Sequence, residues 1–579
     1  MDSAFPVSEL RPFIDETLQL WHVPGLAVAV VKDGEVILCE GFGLRNIEHT
    51  LPVTPETLFP IASCSKAFTA MSVGLLVEAG KLDWDKPVRE YLPTFKLQDA
   101  VATERMTARD LLTHRSGLPR HDLMWYGSNF NRREVFDRLR YLEPTRDLRY
   151  AFQYQNIMYM VAGLLVGEIA GMSWEEFVQT HIFDKLGMSH TNLSTVVTQQ
   201  SADFATPYLY RDDQLRELPF FEADGEKDAV GPAGNIISCV SDMARWLQVQ
   251  LNQGKVREAP FISEANLVQM HTPHIFVDDP EARYRFGFEF TSYGLGWEMH
   301  AHKGQLLVYH GGAMDGFAAY TSLMPRHQIG VVVLSNGDAY YNPTPSIVAH
   351  TVYDRLLGLE PTDWNALNKP YYDEVVGAEK QSKQRSSAER KAGAQTSHPI
   401  ESYLGEYEHP GYGVVSIRKE GDQLQMVMND KLTLALEHYH YDIFEANLER
   451  FDYRLKLSFA TDLKGNIAHI AIQMEPMVKE LIFTRMPDRR LMEKGFLEQF
   501  AGVYDLQKTP MTVALKGEKT LTATIEGQPE YVLVPYQGTE FNLQGLSGFS
   551  IEFQQDEDGQ WTQAIVTQPG VVFVAKRRA

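Results

Sequence analysis

The last third of the chain repeats itself. Glu401, Tyr403, Gly405 and Tyr407 recur with the same spacing as Glu498, Phe500, Gly502 and Tyr504, and Phe483 and Phe573 each precede a similar basic ending. A segment duplicated in this way folds as two homologous modules, whatever the rest of the chain does. Each module, about 85 residues long, holds about eight short runs of alternating polarity. Turn signals punctuate them at Gly421-Asp422, Lys464-Gly465-Asn466, Lys516-Gly517, Gln537-Gly538 and Asp558-Gly559. A sheet of such short strands exposes two edges unless it closes on itself. The expectation is two small antiparallel barrels, lipocalin-like in strand count, with one larger barrel shared by both repeats as the alternative.

Upstream the pattern is mixed. Val7, Leu10, Phe13, Ile14 and Leu18 fall on one helical stripe, and GLAVAVVKDGEVILCEGFG after it reads as a hairpin turning at Asp33-Gly34. An apolar helix is expected from Ser65 to Leu82, and strands such as GVVVLSN at 330–336 come late. The 579 residues exceed one ordinary core. They divide into an α+β domain over 1–365, a linker over 366–398, and barrels over 399–488 and 489–579. The linker rests on the loss of apolar pattern between Tyr371 and Pro399, where EKQSKQRSSAERK carries five basic residues against two acidic ones. It reads as a solvated, in part helical, connection.

Apolar residues make up 44% of the chain and charged ones 22%, enough to fill several cores. With 54 Lys and Arg against 76 Asp and Glu, the net charge of -22 repels polyphosphate, so nucleic acid is not an expected partner. Cys39, Cys64 and Cys239 lie too far apart for a disulfide framework or a zinc-ligand spacing, which fits a reducing compartment. MDSAFPVSELRPFIDETLQLW has no basic leader before an apolar run, and no stretch of about 18 uninterrupted apolar residues occurs. The expectation is a cytoplasmic protein with no membrane partner.

Three short patterns carry chemistry. Ser63-Cys64-Ser65-Lys66 opens the apolar helix, where a three-residue step brings Lys66 onto the face of Ser63 and gives a nucleophile its base. Lys66 serves as a base only when neutral, which needs desolvation or a neighbouring cation. The pattern is not unique, since Ser416-Ile417-Arg418-Lys419 matches it within an expected barrel strand. Cys64, beside the nucleophile, points elsewhere on a helix and reads as packing. Tyr154-Gln155-Asn156 precedes IMYMVAGLLVGEIAG: the Tyr154 phenol can take or relay the Ser63 proton, and Asn156 can bond Lys66 or a substrate amide. Tyr340-Tyr341-Asn342 shares the spacing but reads as a turn. His310-Gly311-Gly312-Ala313 enters a strand, where small residues admit a substrate backbone alongside the sheet. His300-Ala301-His302 and His438-Tyr439-His440 each put two imidazoles on one strand face without a third ligand at metal spacing, and read as packed or solvated; no metal and no cofactor is expected.

In this order the three patterns resemble the penicillin-binding-protein and class C β-lactamase-like serine hydrolases. The resemblance covers about residues 5–360 and extends through LLTHRSGLP at 111–119, GPAGNIISCVSDMARW at 231–246, YGLGW at 293–297 and HGGAMDGF at 310–317. It implies a site between an all-helical part and an antiparallel sheet, with Ser63 as nucleophile, Lys66 and Tyr154 sharing its proton, and His310 completing the catalytic set. It also implies an oxyanion hole from the backbone NH groups of Ser63 and Ala313, with Asn156 and Gly312 binding substrate. Penicillin-binding proteins and β-lactamases carry Lys where this chain has His310, so recognition of a β-lactam or D-Ala carboxylate is weakened. Histidine there, and two C-terminal barrels, resemble D-aminopeptidases of the family. The expected activity is acyl transfer on short peptides, by an aminopeptidase or a D-residue-tolerant peptidase. The alternatives are an esterase or weak β-lactamase of the same family, or a non-catalytic binding scaffold. The expected partners are a small peptide or ester substrate and further copies of the chain, assembled through the barrels.

Overall fold

The computed structural model describes residues 7–221, 228–340, 342–448 and 453–578. Contacts divide the chain into two compact units, Met1–Glu389 with Met474–Lys479, and Arg390–Gln473 with Glu480–Ala579.

The first unit is built on the expected hairpin. Strands β1 (Gly25–Lys32) and β2 (Glu35–Asn46) pair antiparallel. Asp33 and Gly34 both take positive φ, 52° and 84°, the turn whose twist matches that of the strands it joins. The hairpin joins β3 (Leu51–Pro52), β4 (Ile275–Phe276), β5 (Glu289–Tyr293), β6 (Glu298–His302), β7 (Gln305–Met314), β8 (Phe317–Met324) and β9 (Ile329–Ser335). They form a nine-stranded sheet in the order β4-β5-β6-β7-β8-β9-β1-β2-β3. Residues 25–31 of β1 and all of β9 are buried, so neither strand alternates in polarity. The reason is cover on both faces. On one face Leu26, Val28 and Val30 meet Leu10, Ile14 and Leu18 of α1 (Val7–Leu20) and Ile347, Val348 and Val352 of a late helix, Thr344–Leu356.

The other face carries the helical part. Its centre is α2 (Ser65–Glu78), packed on α3 (Asn156–Ala170). Eleven of the fourteen α2 residues are buried. A helix apolar all round is a core helix, which is why neither shows a polar stripe. Among the described residues no single helix is long and apolar enough to cross a membrane.

The stretch 366–398, expected as a linker, is helical as far as Glu389, within a 26-residue helix, Trp364–Glu389. Its start is pinned by Trp364, which donates to Asp354 at 2.9 Å, and by Asn365, which donates to Thr17 and accepts from Trp21, both at 2.9 Å. Only those two residues are buried, so the rest carries no apolar period to read. Tyr341 of the second Tyr-x-Asn lies outside the described residues; Asn342 accepts from the Thr344 backbone at 3.0 Å in the turn before the helix that follows.

The second unit holds two closed eight-stranded barrels, one with strands from Gly405–His409 to Leu481–Arg485, the other from Gly502–Leu506 to Val571–Arg577. The repeat is the closure device. Tyr407 and Tyr504 each donate to the carbonyl four residues back, of Tyr403 and Phe500, both at 2.9 Å. Each pairs across the closing seam with a last-strand arginine, Arg485 or Arg577. Arg485 donates to the carbonyls of Ser402 and Leu404 at 2.7 and 2.6 Å, and Arg577 to those of Trp561 and Ala501. Gly405 and Gly502 have φ of 140° and 157°, and a Cβ at either would press on the guanidinium at 3.3 or 2.9 Å. Inside, the second barrel is filled by Phe500, Tyr504, Phe541 and Phe553, with the Phe500 and Phe553 rings stacked at 4.6 Å. Ser416 sits buried in a first-barrel strand, so the second S-x-x-K is structural.

Removing Arg485 strands two carbonyls that its fork serves. Arg485→Ala is expected to destabilise the first barrel by about 1.5–3 kcal/mol, and Arg485→Lys to restore little of it, because an ammonium cannot fork. Urea unfolding of the full chain reads this as an earlier transition. An unmoved transition would show that closure does not depend on the arginine.

Candidate active site

Ser63 lies in the 3-10 turn Ala62–Cys64 that leads into α2. Ala62 before it takes φ 47°, a left-handed conformation that an alanine rarely adopts, and Ser63 itself is half-buried. One turn on, Lys66 is 0% exposed and its Nζ has three neighbours: Ser63 Oγ at 3.0 Å, Asn156 Oδ1 at 2.8 Å and the Ala233 carbonyl at 2.9 Å. Tyr154 OH donates to Ser63 Oγ from the other side at 2.9 Å. Ser63, Lys66, Tyr154 and Asn156 thus come together as expected, and Asn156 serves the lysine.

The electrostatics follow from burial. Desolvation, then the nearby Arg120 guanidinium, hold the Lys66 amine well below its usual range. Asn156 Oδ1 and the Ala233 carbonyl can only accept. On a neutral amine they take its two N–H groups, and the lone pair is left facing Ser63 Oγ. Burial pushes the Tyr154 phenol up, so it keeps its proton and stays a donor. Such a serine receives one hydrogen bond and offers its own proton to an amine, the arrangement of an activated nucleophile.

His310 stands differently from its expected place. Its ring is 1% exposed and bonds Tyr293 OH at 2.9 Å through Nε2 and the Gly311 carbonyl at 2.7 Å through Nδ1. A carbonyl only accepts, so Nδ1 carries the proton and Nε2 accepts from the phenol. Burial pushes the imidazole down to about 3, so it is neutral. It lies behind the Ser63 cluster, 6.4 Å from the Tyr154 ring centre to centre. Gly312 also has a packing reason: a Cβ there would come within 2.2 Å of the Ile61 carbonyl, so its absence lets β7 lie against the turn that holds Ser63. Gly311 has open space where a Cβ would stand, and Ala313 is exposed. The β6–β7 ladder ends at Glu298 and Tyr309, whereas β7 pairs with β8 through Met314. Residues 310–314 therefore have one edge free of a strand partner among the described residues.

Several supports lie inside motifs whose roles were not legible. His114 of LLTHRSGLP accepts from the Gln155 backbone at 3.0 Å and packs its ring, tilted by 31°, 4.3 Å from that of Tyr154, kept neutral by burial. Arg120, half exposed, lies 5.0 Å over the Tyr154 ring and bonds Asp122 at 2.6 Å; Asp122 in turn accepts from Asn156 at 3.2 Å. The His121 backbone donates to Glu475 at 2.9 Å. Nothing in the spacing marks Glu475, which lies hundreds of residues away in sequence. Cys64 is packing, as expected: its thiol donates to the His310 carbonyl at 3.1 Å and burial raises it to about 12.

Residues 11–346 match the Beta-lactamase family, and residues 389–485 match a domain of unknown function, DUF3471. Unguisins hydrolase ungD' of Aspergillus campestris is 30% identical over 438 residues, covering 72% of this chain and 78% of its own length. Protein flp of Staphylococcus aureus is 25% identical over 348 residues, 59% of this chain and 65% of its own. The octameric penicillin-binding protein homologue from Pyrococcus abyssi aligns with a TM-score of 0.53 at 25% identity, over 82% of this chain and all of its own. With the match spanning more than half of the 579 residues and enclosing the Ser63 cluster, the chain belongs to the Beta-lactamase family of serine hydrolase type.

Proposed function

We propose that the chain is a peptidase acting on short peptides, D-residue-containing ones included, through an acyl-enzyme on Ser63. The observation that carries the peptide reading is the open edge at residues 310–314. An extended peptide lying there gains main-chain hydrogen bonds as an added strand, and the bare Gly311 leaves it room. The relative from Aspergillus, named a hydrolase, supports turnover rather than mere binding.

Neutral Lys66 is the general base. It takes the Ser63 proton as Oγ bonds to the substrate carbonyl carbon, and the resulting oxyanion is held by the Ser63 and Ala313 backbone NH groups. Tyr154 OH, across Oγ from Lys66, gives a proton to the departing amine, and the proton on Lys66 replaces it. The C–N bond has then broken, the amine leaves neutral, and Ser63 carries an ester. Water attacks that ester, loses its proton to the same base, and Ser63 leaves with a proton as the acid departs. His310, neutral and turned to Tyr293, positions β7 and offers no cation to a substrate carboxylate, which is why β-lactams are poor candidates.

A matched panel of D- and L-aminoacyl anilides, short peptides, nitrophenyl esters and a chromogenic cephalosporin tests the substrate class. Peptide or anilide turnover is expected to lead; dominant cephalosporin or ester hydrolysis would overturn the peptide reading. Ser63→Ala is expected to lower turnover at least about a thousandfold with folding intact, and a fluorophosphonate adduct is expected on Ser63 of the wild type. Absence of both adduct and hydrolysis would leave a binding protein.

Because the base must be neutral, kcat/KM is expected to rise with pH and then level, the acid limb belonging to Lys66. A cation nearby favours the neutral amine, so Arg120→Gln raises the Lys66 pKa and moves that limb to higher pH. The shift is about 0.5–1 unit, modest because the guanidinium is half in water. A limb that stays in place would mean Lys66 does not feel this charge.

A further inference from the structure

We propose that His300, His302 and His350 form a binding site for one divalent transition-metal ion of the Zn2+ class, on the sheet face opposite the Ser63 cluster. The sequence pairs only two of these histidines, at i and i+2 on β6, where alternation puts both on one face. The third comes from the helix Thr344–Leu356 packed against that face. All three are buried, at 1%, 1% and 4% exposure, and one ring nitrogen from each lies within 4.8 Å of the others.

The hydrogen bonding points the same way. Both nitrogens of His300 and Nδ1 of His302 have no hydrogen-bond partner among the described residues. Three such atoms in one buried cluster are unusual, because a buried polar atom without a partner is costly. His302 Nε2 bonds Asp354 Oδ1 at 3.0 Å, and Asp354 is itself held by Lys303 at 2.8 Å and Trp364 at 2.9 Å. A carboxylate behind a ligating imidazole fixes its tautomer and turns the free nitrogen toward the ion. His350 Nε2 reaches Tyr320 OH only at 3.5 Å, too long to hold it.

Three imidazoles on two elements are a donor set for zinc, with the fourth position left to water or to the Tyr320 oxygen. The site lies apart from the proposed proton path, since Leu307 and Tyr309 of β7 face this layer while His310 faces the other. Its effect is structural: it ties β6 to the helix Thr344–Leu356.

Full-length protein stripped with a chelator and titrated with Co2+ tests this. One equivalent per chain is expected, with the intense visible bands of a four-coordinate, nitrogen-ligated ion, displaced by Zn2+, which raises the melting temperature. His350→Gln is expected to abolish the bands, and Asp354→Asn to weaken affinity by about 10–100-fold. No stoichiometric Co2+, a weak octahedral spectrum, or bands unchanged in His350→Gln would each overturn the proposal. If His350→Gln does not fold, X-ray absorption of the wild-type Co2+ form decides. Three imidazoles support the site; fewer, or a sulfur neighbour that moves the ion to His190, Cys239 and Asp242, refute it.

Discussion

A lysine amine with no exposed surface, held between two oxygens that can only accept, is the interaction on which the rest of the first unit depends. Taking an ammonium out of water is costly, and the chain meets that cost by letting the amine be neutral. Neutrality then dictates direction: with both N–H groups committed to Asn156 and Ala233, the lone pair has one remaining target, Ser63. The proton acceptor offered to Ser63 is thus a consequence of how tightly Lys66 is packed.

The fold supplies that packing from several places at once. The α2 turn provides Ser63 and Lys66, the start of α3 provides Asn156, and the segment around 233 provides a bare carbonyl. His114 fixes the backbone that carries Tyr154, and Gly312 lets β7 close on the turn. Because β7 stops pairing with β6 at Tyr309, the same strand that packs against the Ser63 turn keeps one edge without a strand partner among the described residues.

Much of this was legible in the sequence, for physical reasons. The Asp33-Gly34 turn, the apolar α2 helix and the eight-stranded repeats each leave a local signature, because turns, core helices and alternating strands constrain nearby residues. Ser63, Lys66, Tyr154 and Asn156 were legible as an ordered set of motifs. What was hidden is what depends on long-range contact. The neutrality of His310 rests on burial within the fold, where its Nε2 bonds Tyr293 of another strand, and no local motif encodes that. Glu475 beside His121, Ala233 beside Lys66 and His350 beside His300 are meetings no spacing rule encodes. The helix through 366–389 was legible only as a solvated, in part helical, connection, because two buried residues anchor it and the remainder has only its solvated face to show.

The neutral lysine is also the point at which the account is most exposed. Lysine-selective 13C labelling, with the Cε resonance of Lys66 assigned by its loss in Lys66→Met, follows that amine directly through a pH titration. The account predicts one lysine that titrates well below the ordinary lysine range while the others do not. A Lys66 resonance that titrates with the rest, near 10.5, would contradict it.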